Sequence, residues 1–360
     1  MHPNNHRAIA CIFMLFACNE KESNQQHQDN KPEETTQQPQ GPMDTSAKPL
    51  FIIAGQSNAE GNVRFFGFEA LRDALPDHNN ALNAAERETL RDAYRDGVGD
   101  WCNPAEDYSV AAADAAIDAF RDSQMDISHI TSTYTVTGAE MIAFRWGFQE
   151  ANEELSEPYE NPSPSAHPAQ TTQVAPLGPG FGIWDNEETE VLFYGPELGF
   201  GIRMDQTSTL GEFDVLKVAM GGSSLYQHWS PDGPLRRQLY ERTDAFLATR
   251  EGTSVQGLLW FQGFNDQFED AYRDNYEANL TTLLTDFRIK YGEDVPIVIV
   301  QARRVGDLEL IADAQQAVAD SMPQVAIVKS DGLSECFHYD ATSQLVIGQR
   351  SADAMLQLHR

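Results

Sequence analysis

Basic residues are scarce in this chain: 25 Lys and Arg stand against 55 Asp and Glu, which gives a formal net charge of −30. A surface with so large an excess of negative charge repels phosphate backbones and anionic lipid headgroups. We therefore exclude nucleic acid as a partner, and we expect membrane attachment only through an added anchor. The same excess of charge also keeps a protein soluble.

Cysteine is scarce as well, with four residues in the chain. Four cysteines are too few for a scaffold built on disulfides, and their spacing matches no metal site. Cys102 and Cys336 could pair in an exported protein, but the sequence alone does not fix that connectivity. The chain also lacks Walker, dinucleotide-binding and His-Glu-x-x-His motifs, so we expect no cofactor and no metal.

The N-terminal apolar run is too short for a membrane span. One Arg, at position 7, precedes the apolar residues 8–17, and this fits the apolar region of an export signal. Leu15-Phe16-Ala17-Cys18 resembles the bacterial lipobox, in which the cysteine is lipidated and becomes the new N-terminus. Residues 1–18 are therefore predicted to be a lipoprotein signal peptide with Cys18 as the lipidation site. A plain signal peptide cleaved nearby is the alternative.

Residues 19–48 contain no aromatic residue, Leu, Ile or Val, and they are rich in Gln, Glu, Asn and Pro. Such a segment cannot bury enough apolar surface to fold, so we predict a disordered polar spacer. A lipid anchor, a spacer and a folded domain over 49–360 form the order expected of a surface lipoprotein. We therefore expect the protein in the bacterial cell envelope, lipid-anchored on the periplasmic side or at the cell surface.

Apolar runs and helix-like segments alternate after the spacer. The apolar runs predict buried strands at 50–53, 213–220, 255–261, 295–300 and 325–330. Helical patterns lie between them at 236–250, 276–291 and 310–322. This alternation predicts βαβ units, and hence an α/β fold with a mainly parallel sheet covered by helices on both faces.

The region 67–190 is less regular. Three of its segments, 79–97, 108–123 and 140–155, are predicted to be helices. A proline-rich stretch over 157–179 follows without clear periodicity, and a loop of that length is usually functional or mobile. We interpret 67–190 as insertions that decorate the active edge of the sheet, not as a separate domain.

Small polar residues follow the predicted strands. Ligands of an open parallel sheet bind beyond the carboxyl ends of its strands, so these positions are the candidates for a site. In chain order they are Gln56, Ser57, Asn58, Gly222, Gln262, Asn265, Asp331, Glu335 and His338.

This set suits hydrolysis through a serine nucleophile. Ser57 needs a base to accept its proton, and His338 is the candidate. The base needs a carboxylate that holds its tautomer and stabilises the imidazolium, and either Glu335 or Asp331 could serve.

The reaction also requires donors for the oxyanion of the tetrahedral intermediate. The backbone N–H groups of Ser57 and Gly222 are candidates, together with the side chain of Asn265 or Gln262. These residues follow three different predicted strands, so the fold has to bring them together.

Four blocks occur in order, each at a predicted strand end: Gly-Gln-Ser-Asn around Ser57, Gly222, Gly263-x-Asn265-Asp266, and Glu335-x-x-His338. These blocks resemble those of the SGNH hydrolase superfamily. The segments 194–201, 217–225, 260–266 and 338–355 are similar to the sialate O-acetylesterase type, which includes the acetyl xylan esterases of carbohydrate esterase family six.

The resemblance implies a three-layer α/β/α sandwich with a flavodoxin-like sheet, and metal-independent removal of acetyl groups from sugars. It implies Ser57 as nucleophile, His338 as base, and Gly222 and Asn265 as oxyanion donors. The chain departs from the family at two positions. Phe264 stands where many members have Glu, and the acid three residues before the histidine is Glu335 where members usually have Asp. Because Glu335 has the family spacing, we predict that it, and not Asp331, orients the histidine.

The sequence therefore predicts an acetylesterase whose substrate is an acetylated polysaccharide or sialic-acid-type sugar. Gln56, Asn58 and Trp229 are predicted to contact that substrate, Trp229 by stacking on a sugar ring, although core packing fits Trp229 equally well. A lipase or thioesterase of the same superfamily is one alternative, but the sequence indicates no long apolar groove. A non-catalytic carbohydrate-binding lipoprotein is another, and the intact serine, histidine and acid argue against it.

Overall fold

Seven strands form one sheet in the described part of the chain. The computed structural model describes residues 47–64, 72, 82–97, 109–146, 173–182, 192–207, 211–333 and 338–360. All of them belong to one compact unit, Pro42–Arg360. The predicted signal peptide and nearly all of the predicted spacer lie outside the described residues, as do Cys102, Glu335 and Cys336.

The strands in chain order are β1 (Lys48–Gly55), β2 (Val63–Arg64), β3 (Ala139–Trp146), β4 (Ala175–Pro176), β5 (Phe193–Tyr194), β6 (Phe213–Met220), β7 (Thr253–Phe261), β8 (Ile297–Val300) and β9 (Val325–Val328). The order across the sheet is β4-β3-β6-β1-β7-β8-β9. All neighbours from β3 to β9 pair in parallel, and the edge pair β3–β4 is antiparallel. Strands β2 and β5 form a separate antiparallel ribbon.

The helices in chain order are α1 (Ser57–Glu60), α2 (Ala84–Gly97), α3 (Val110–Asp122), α4 (Pro196–Thr207), α5 (Pro234–Ala248), α6 (Asp270–Asp274), α7 (Tyr276–Tyr291), α8 (Leu308–Ser321) and α9 (Ala341–Leu358). A short 3₁₀ helix, Phe264–Phe268, follows β7. Among the described residues, no helix combines the length and the apolar character needed to cross a membrane.

Helices cover both faces of the sheet, and an apolar core lies between the sheet and each layer of helices. Phe51 and Ile53 of β1 belong to a core that includes residues of α3, α4 and α9. Leu50, Ile52 and Ala54 belong to a second core with residues of α5, α7 and α8. Because the side chains of a strand alternate between its faces, a strand covered on both sides needs a continuous apolar run. The predicted three-layer α/β/α sandwich is confirmed.

The segment 140–155, which we predicted to be a helix, begins as strand β3. Its residues pair in parallel with the whole of β6, from Ala139 opposite Phe213 to Trp146 opposite Met220. Met141–Phe144 is buried on both faces, and this burial within the sheet outweighs the local helical pattern. The interpretation of 67–190 as decoration is therefore wrong for β3 and β4, which extend the sheet itself.

The end of β1 fixes where the chain must turn. Gly55 has a φ of 155°, and a Cβ at this position would lie 2.1 Å from the carbonyl oxygen of Phe261 on β7. Glycine alone fits so close an approach of two backbones. The chain then enters α1, whose N-cap residue is Gln56. Ser57 is therefore the first residue of a short helix just beyond the carboxyl end of β1.

Candidate active site

Ser57 and His338, 281 residues apart in sequence, are in contact at the carboxyl edge of the sheet. Nε2 of His338 lies 2.8 Å from Oγ of Ser57. Both side chains are buried. Burial disfavours the charged ring and lowers the pKa of His338 to about 4. The imidazole is therefore neutral at pH 7, which is the form that can accept a proton from the hydroxyl.

The two amides that flank the serine connect its turn to the neighbouring loops. Oε1 of Gln56 accepts a hydrogen bond from the backbone N–H of Gly263, at 3.2 Å, just beyond β7. Oδ1 of Asn58 accepts one from the backbone N–H of Tyr339, also at 3.2 Å, in the residue after the histidine. These contacts position the serine turn against two loops of the site. Substrate binding by Gln56 and Asn58 stays a prediction.

The loops after β6 and β7 pass directly beside the serine. A Cβ at Gly221 would lie 3.7 Å from Cβ of Ser57. The next residue, Gly222, has a φ of 72° and accepts a hydrogen bond at its carbonyl from the amide nitrogen of Asn265. The fold thus brings Gly222 and Asn265 together next to Ser57. Their role as oxyanion donors stays a prediction.

The contacts of Gln262 do not fit the donor role that the sequence suggested. Its amide nitrogen donates to the carbonyl oxygen of Ser223 at 3.1 Å and to Oδ2 of Asp266 at 2.5 Å. Its Oε1 accepts from the hydroxyl of Tyr276 at 3.2 Å. Because an amide nitrogen carries two hydrogens, both of its donors are used inside the protein. We therefore remove Gln262 from the set of oxyanion donors.

Trp229 is a core residue, which corrects its predicted role in stacking on a sugar. Its side chain is fully buried, and its Nε1–H donates to Oγ of Ser223 at 3.1 Å. Its ring packs edge to face against Trp260, with centroids 5.0 Å apart. A ring enclosed in this way offers no face to a ligand.

Asp331 and Glu335 were the two candidates for the carboxylate that orients the histidine. Asp331 is exposed, and its backbone carbonyl accepts a hydrogen bond from Arg350 at 3.4 Å. Glu335 lies outside the described residues. The preference for Glu335 over Asp331 therefore stays a prediction.

A buried ion pair beneath the helix that carries the serine was missed from sequence. Lys217 in β6 and Glu197 in α4 are both fully buried, with Nζ 3.0 Å from Oε2. The same Nζ donates to the backbone carbonyl of Glu60, at 2.7 Å, at the end of α1. Oε1 of Glu197 accepts from the backbone N–H of Gly195 at 2.9 Å. A lysine within the apolar run of β6 was the signal that could have identified this pair.

A small cavity of about 40 Å³ lies beside the serine turn. Its walls include Gln56, Asn58, Phe264, Leu308 and Tyr339. Phe264, one of the two departures from the family pattern, therefore places an aromatic ring in the wall of the cavity.

A serine and a histidine in contact beyond the strand ends of a parallel sheet form an arrangement that suits a serine esterase. A family model described as carbohydrate esterase, sialic acid-specific acetylesterase, matches residues 167–357, which is just over half of the chain. The chain belongs to this carbohydrate esterase family.

Several solved structures match this chain at low sequence identity. NanS is 13% identical, with 87% of this chain and 97% of that chain covered and a TM-score of 0.53, which shows a shared fold alone. A protein from Arabidopsis thaliana is 18% identical over 86% of this chain and 98% of that chain, with a TM-score of 0.49. A carbohydrate acetylesterase from Xanthomonas citri is 14% identical over 85% of this chain and 55% of that chain, with a TM-score of 0.44. Comparison with curated protein sequences gives no match.

Proposed function

We propose that the protein removes acetyl groups from carbohydrate by a serine–histidine–acid mechanism. The observation that carries the proposal is the 2.8 Å contact between Oγ of Ser57 and Nε2 of His338, in a member of a carbohydrate esterase family. The low pKa of the buried ring supports it further, because a neutral histidine next to a serine hydroxyl can act as a general base.

The reaction begins when Oγ of Ser57 attacks the acetyl carbonyl while Nε2 of His338 accepts the hydroxyl proton. The oxyanion of the tetrahedral intermediate accepts hydrogen bonds from the backbone N–H groups of Ser57 and Gly222. Asn265, which gives one amide hydrogen to Gly222, would supply its second to the oxyanion. The intermediate then collapses: the bond between the acetyl carbon and the sugar oxygen breaks, the histidine protonates that oxygen so that it departs as a hydroxyl, and acetyl-serine remains. Water, activated by the same ring, releases acetate and restores the serine.

Two further parts of the proposal concern residues outside the described ones. Glu335 orients the ring of His338 and stabilises its charged form during the reaction. Lipidation of Cys18, followed by the spacer over 19–48, holds the esterase at the bacterial cell envelope.

Acetate release from a panel of acetylated substrates tests the proposed activity. The panel contains acetylated xylan, O-acetylated sialic acid and acetylated pectic or algal polysaccharide. Wild-type protein should release acetate from at least one of them, and Ser57→Ala should lose at least about a hundredfold in rate, because no other group forms the acyl-enzyme. Ser128→Ala, in an exposed residue of the segment that leads to the start of β3, is the matched control and should keep full activity.

Two results would contradict the proposal. One is Ser57→Ala protein with an unchanged circular dichroism spectrum that retains more than about a hundredth of the wild-type rate. The other is faster hydrolysis of long-chain than of acetyl 4-nitrophenyl esters, which would favour a lipase or thioesterase.

A further inference from the structure

Four aromatic side chains lie in the segments that follow β6 and β7. The rings of Tyr226 and Tyr272 are stacked, with centroids 4.7 Å apart and 17° between their planes. Phe264 and Phe268 meet edge to face, with centroids 5.5 Å apart. Tyr226 is 41% exposed and Phe268 is 63% exposed. Each pair therefore leaves one aromatic side chain open to solvent, and exposed aromatic surface next to a candidate site is typical of a binding surface.

Hydrogen bonds connect these aromatic residues to the candidate active site. Oδ2 and Oδ1 of Asp266 accept from the backbone N–H groups of Leu225, at 3.0 Å, and Tyr226, at 3.2 Å. This carboxylate therefore fixes the Tyr226 loop to the 3₁₀ helix Phe264–Phe268. Phe264 also lines the cavity next to Gln56, the residue before the serine. Tyr226, Phe264 and Phe268 are thus held by the same two segments that carry Gly222 and Asn265, and Tyr272 of α6 stacks on Tyr226.

The chemistry of the two tyrosines matches a sugar ring better than a wholly apolar partner. A pyranose has apolar C–H faces and a rim of hydroxyl groups. A tyrosine has an apolar face and a polar hydroxyl at its tip, so it suits a partner that is apolar on one side and hydrated on the other. When an acetylated sugar of a polymer reaches Ser57, the neighbouring sugars have to pass over adjacent protein surface. The loops after β6 and β7 provide such a surface.

We propose that Tyr226, Tyr272, Phe264 and Phe268 form an aromatic platform that stacks on a sugar ring next to the acetylated one. The platform rests on the proposed esterase function and adds a substrate class to it, namely acetylated oligosaccharides and polysaccharides in preference to acetylated monosaccharides. Its position follows from the contacts of Asp266 and Phe264, and its surface follows from the exposure of Tyr226 and Phe268.

Kinetics on a matched pair of substrates test the platform. The substrates are acetylated xylohexaose and acetylated xylose, and the variants are Tyr226→Ala and Phe268→Ala. We expect each variant to raise KM for the hexamer about tenfold, as loss of one stacked aromatic contact would, with kcat little changed and the values for the monomer within about twofold of wild type. Tyr226→Phe should restore binding, because it keeps the stacking face. Ile289→Ala is the control, since Ile289 is 74% exposed in the last turn of α7, outside the segments that carry the aromatic platform.

Two results would overturn the platform: an unchanged KM for the hexamer, or an equal loss on hexamer and monomer. A second experiment separates failure of the platform from failure of the proposed function. It measures by calorimetry the binding of xylohexaose to Ser57→Ala protein, with and without the added Tyr226→Ala substitution. If wild-type protein releases acetate from no member of the acetylated panel, but Ser57→Ala protein binds xylohexaose and the added Tyr226→Ala weakens that binding, the esterase proposal fails and the platform stands. Absence of binding as well would refute both.

Discussion

The proton transfer between Ser57 and His338 depends on the charge state of the ring. The neutral ring accepts the proton, so activity is lost as the pH falls through the pKa of His338. Burial alone lowers that pKa to about 4. A carboxylate at Nδ1 would favour the charged ring and raise the pKa above this value. The acidic limb of the pH profile therefore reports whether a carboxylate contacts the ring.

Glu335→Gln should move the acidic limb of kcat/KM to lower pH. The substitution removes a negative charge next to the ring, so the pKa of His338 should fall toward the value that burial alone sets. The plateau at neutral pH should also drop by several orders of magnitude, because the ring loses its tautomer control and its charge partner. The measurement is the pH dependence of kcat/KM on 4-nitrophenyl acetate.

Asp331→Asn is the control for this experiment. Its side chain is exposed, so the limb should stay in place, and stability should fall by roughly 1 kcal/mol if the carboxylate caps the turn at Gly332. If Asp331→Asn moves the limb and Glu335→Gln does not, the acid of the triad is Asp331.

The amides on either side of the serine show how much of the site follows from sequence. Gln56 and Asn58 follow a buried strand, and a parallel sheet gathers the carboxyl ends of its strands at one edge. The sequence therefore identified the serine turn as part of a site. The partners of these amides, in loops more than two hundred residues away, depend on the packing of three loops and could not be predicted. Trp229 shows the same limit, since an aromatic residue in a polar loop can point inward or outward without any change in the local pattern.

Among the elements, the central strands and the helices between them were the most predictable. Strand β6 and helix α7 have the bounds that the sequence predicted, because each has an unbroken pattern and the helix ends at a glycine, Gly292. Strand β3 was predicted to be a helix. Its neighbour in the sheet, β6, is about seventy residues further along, and pairing at that distance leaves no local signal.

Lys217→Met should destabilise the fold by about 3–5 kcal/mol, because it leaves Glu197 as a buried carboxylate without its cation and removes the donor to α1. The free energy of unfolding in urea measures the effect. Lys290→Met is the matched control, since Lys290 forms an exposed pair with Asp244, and its loss should cost no more than about 1 kcal/mol.

The double variant Lys217→Met with Glu197→Gln checks the cause. Its loss of stability should be smaller than the sum of the losses in the two single variants, because the double variant leaves no buried charge unpaired. A cost for Lys217→Met no larger than that for Lys290→Met would refute the role assigned to the buried pair.

For the whole molecule, we expect the proposed anchor and the proposed site to act independently. The predicted spacer over 19–48 contains no aromatic residue, Leu, Ile or Val, so we expect it to transmit no strain from a lipid anchor to the esterase domain. The net charge of −30 gives the remaining surface no attraction for anionic lipid. Attachment to the membrane should therefore depend on the N-terminal cysteine alone.

Cys18→Ser should release the protein from membranes and leave its specific activity unchanged. Fractionation of cells that express each form, with acetate release measured in each fraction, checks both parts. A variant that remains lipidated and membrane-bound would contradict the lipobox interpretation. Cys11→Ser, in the apolar part of the same segment, is the control and should stay with the membrane fraction.

The central claim is that Ser57 is a nucleophile activated by His338. Labelling with a fluorophosphonate, followed by peptide mass spectrometry, tests it most directly, because this reagent traps an activated serine without any knowledge of the natural substrate. We predict a single adduct on Ser57 that is absent from Ser57→Ala protein and strongly slowed in His338→Ala protein. Folded wild-type protein that takes up no label, or that is labelled at another serine, would contradict the account.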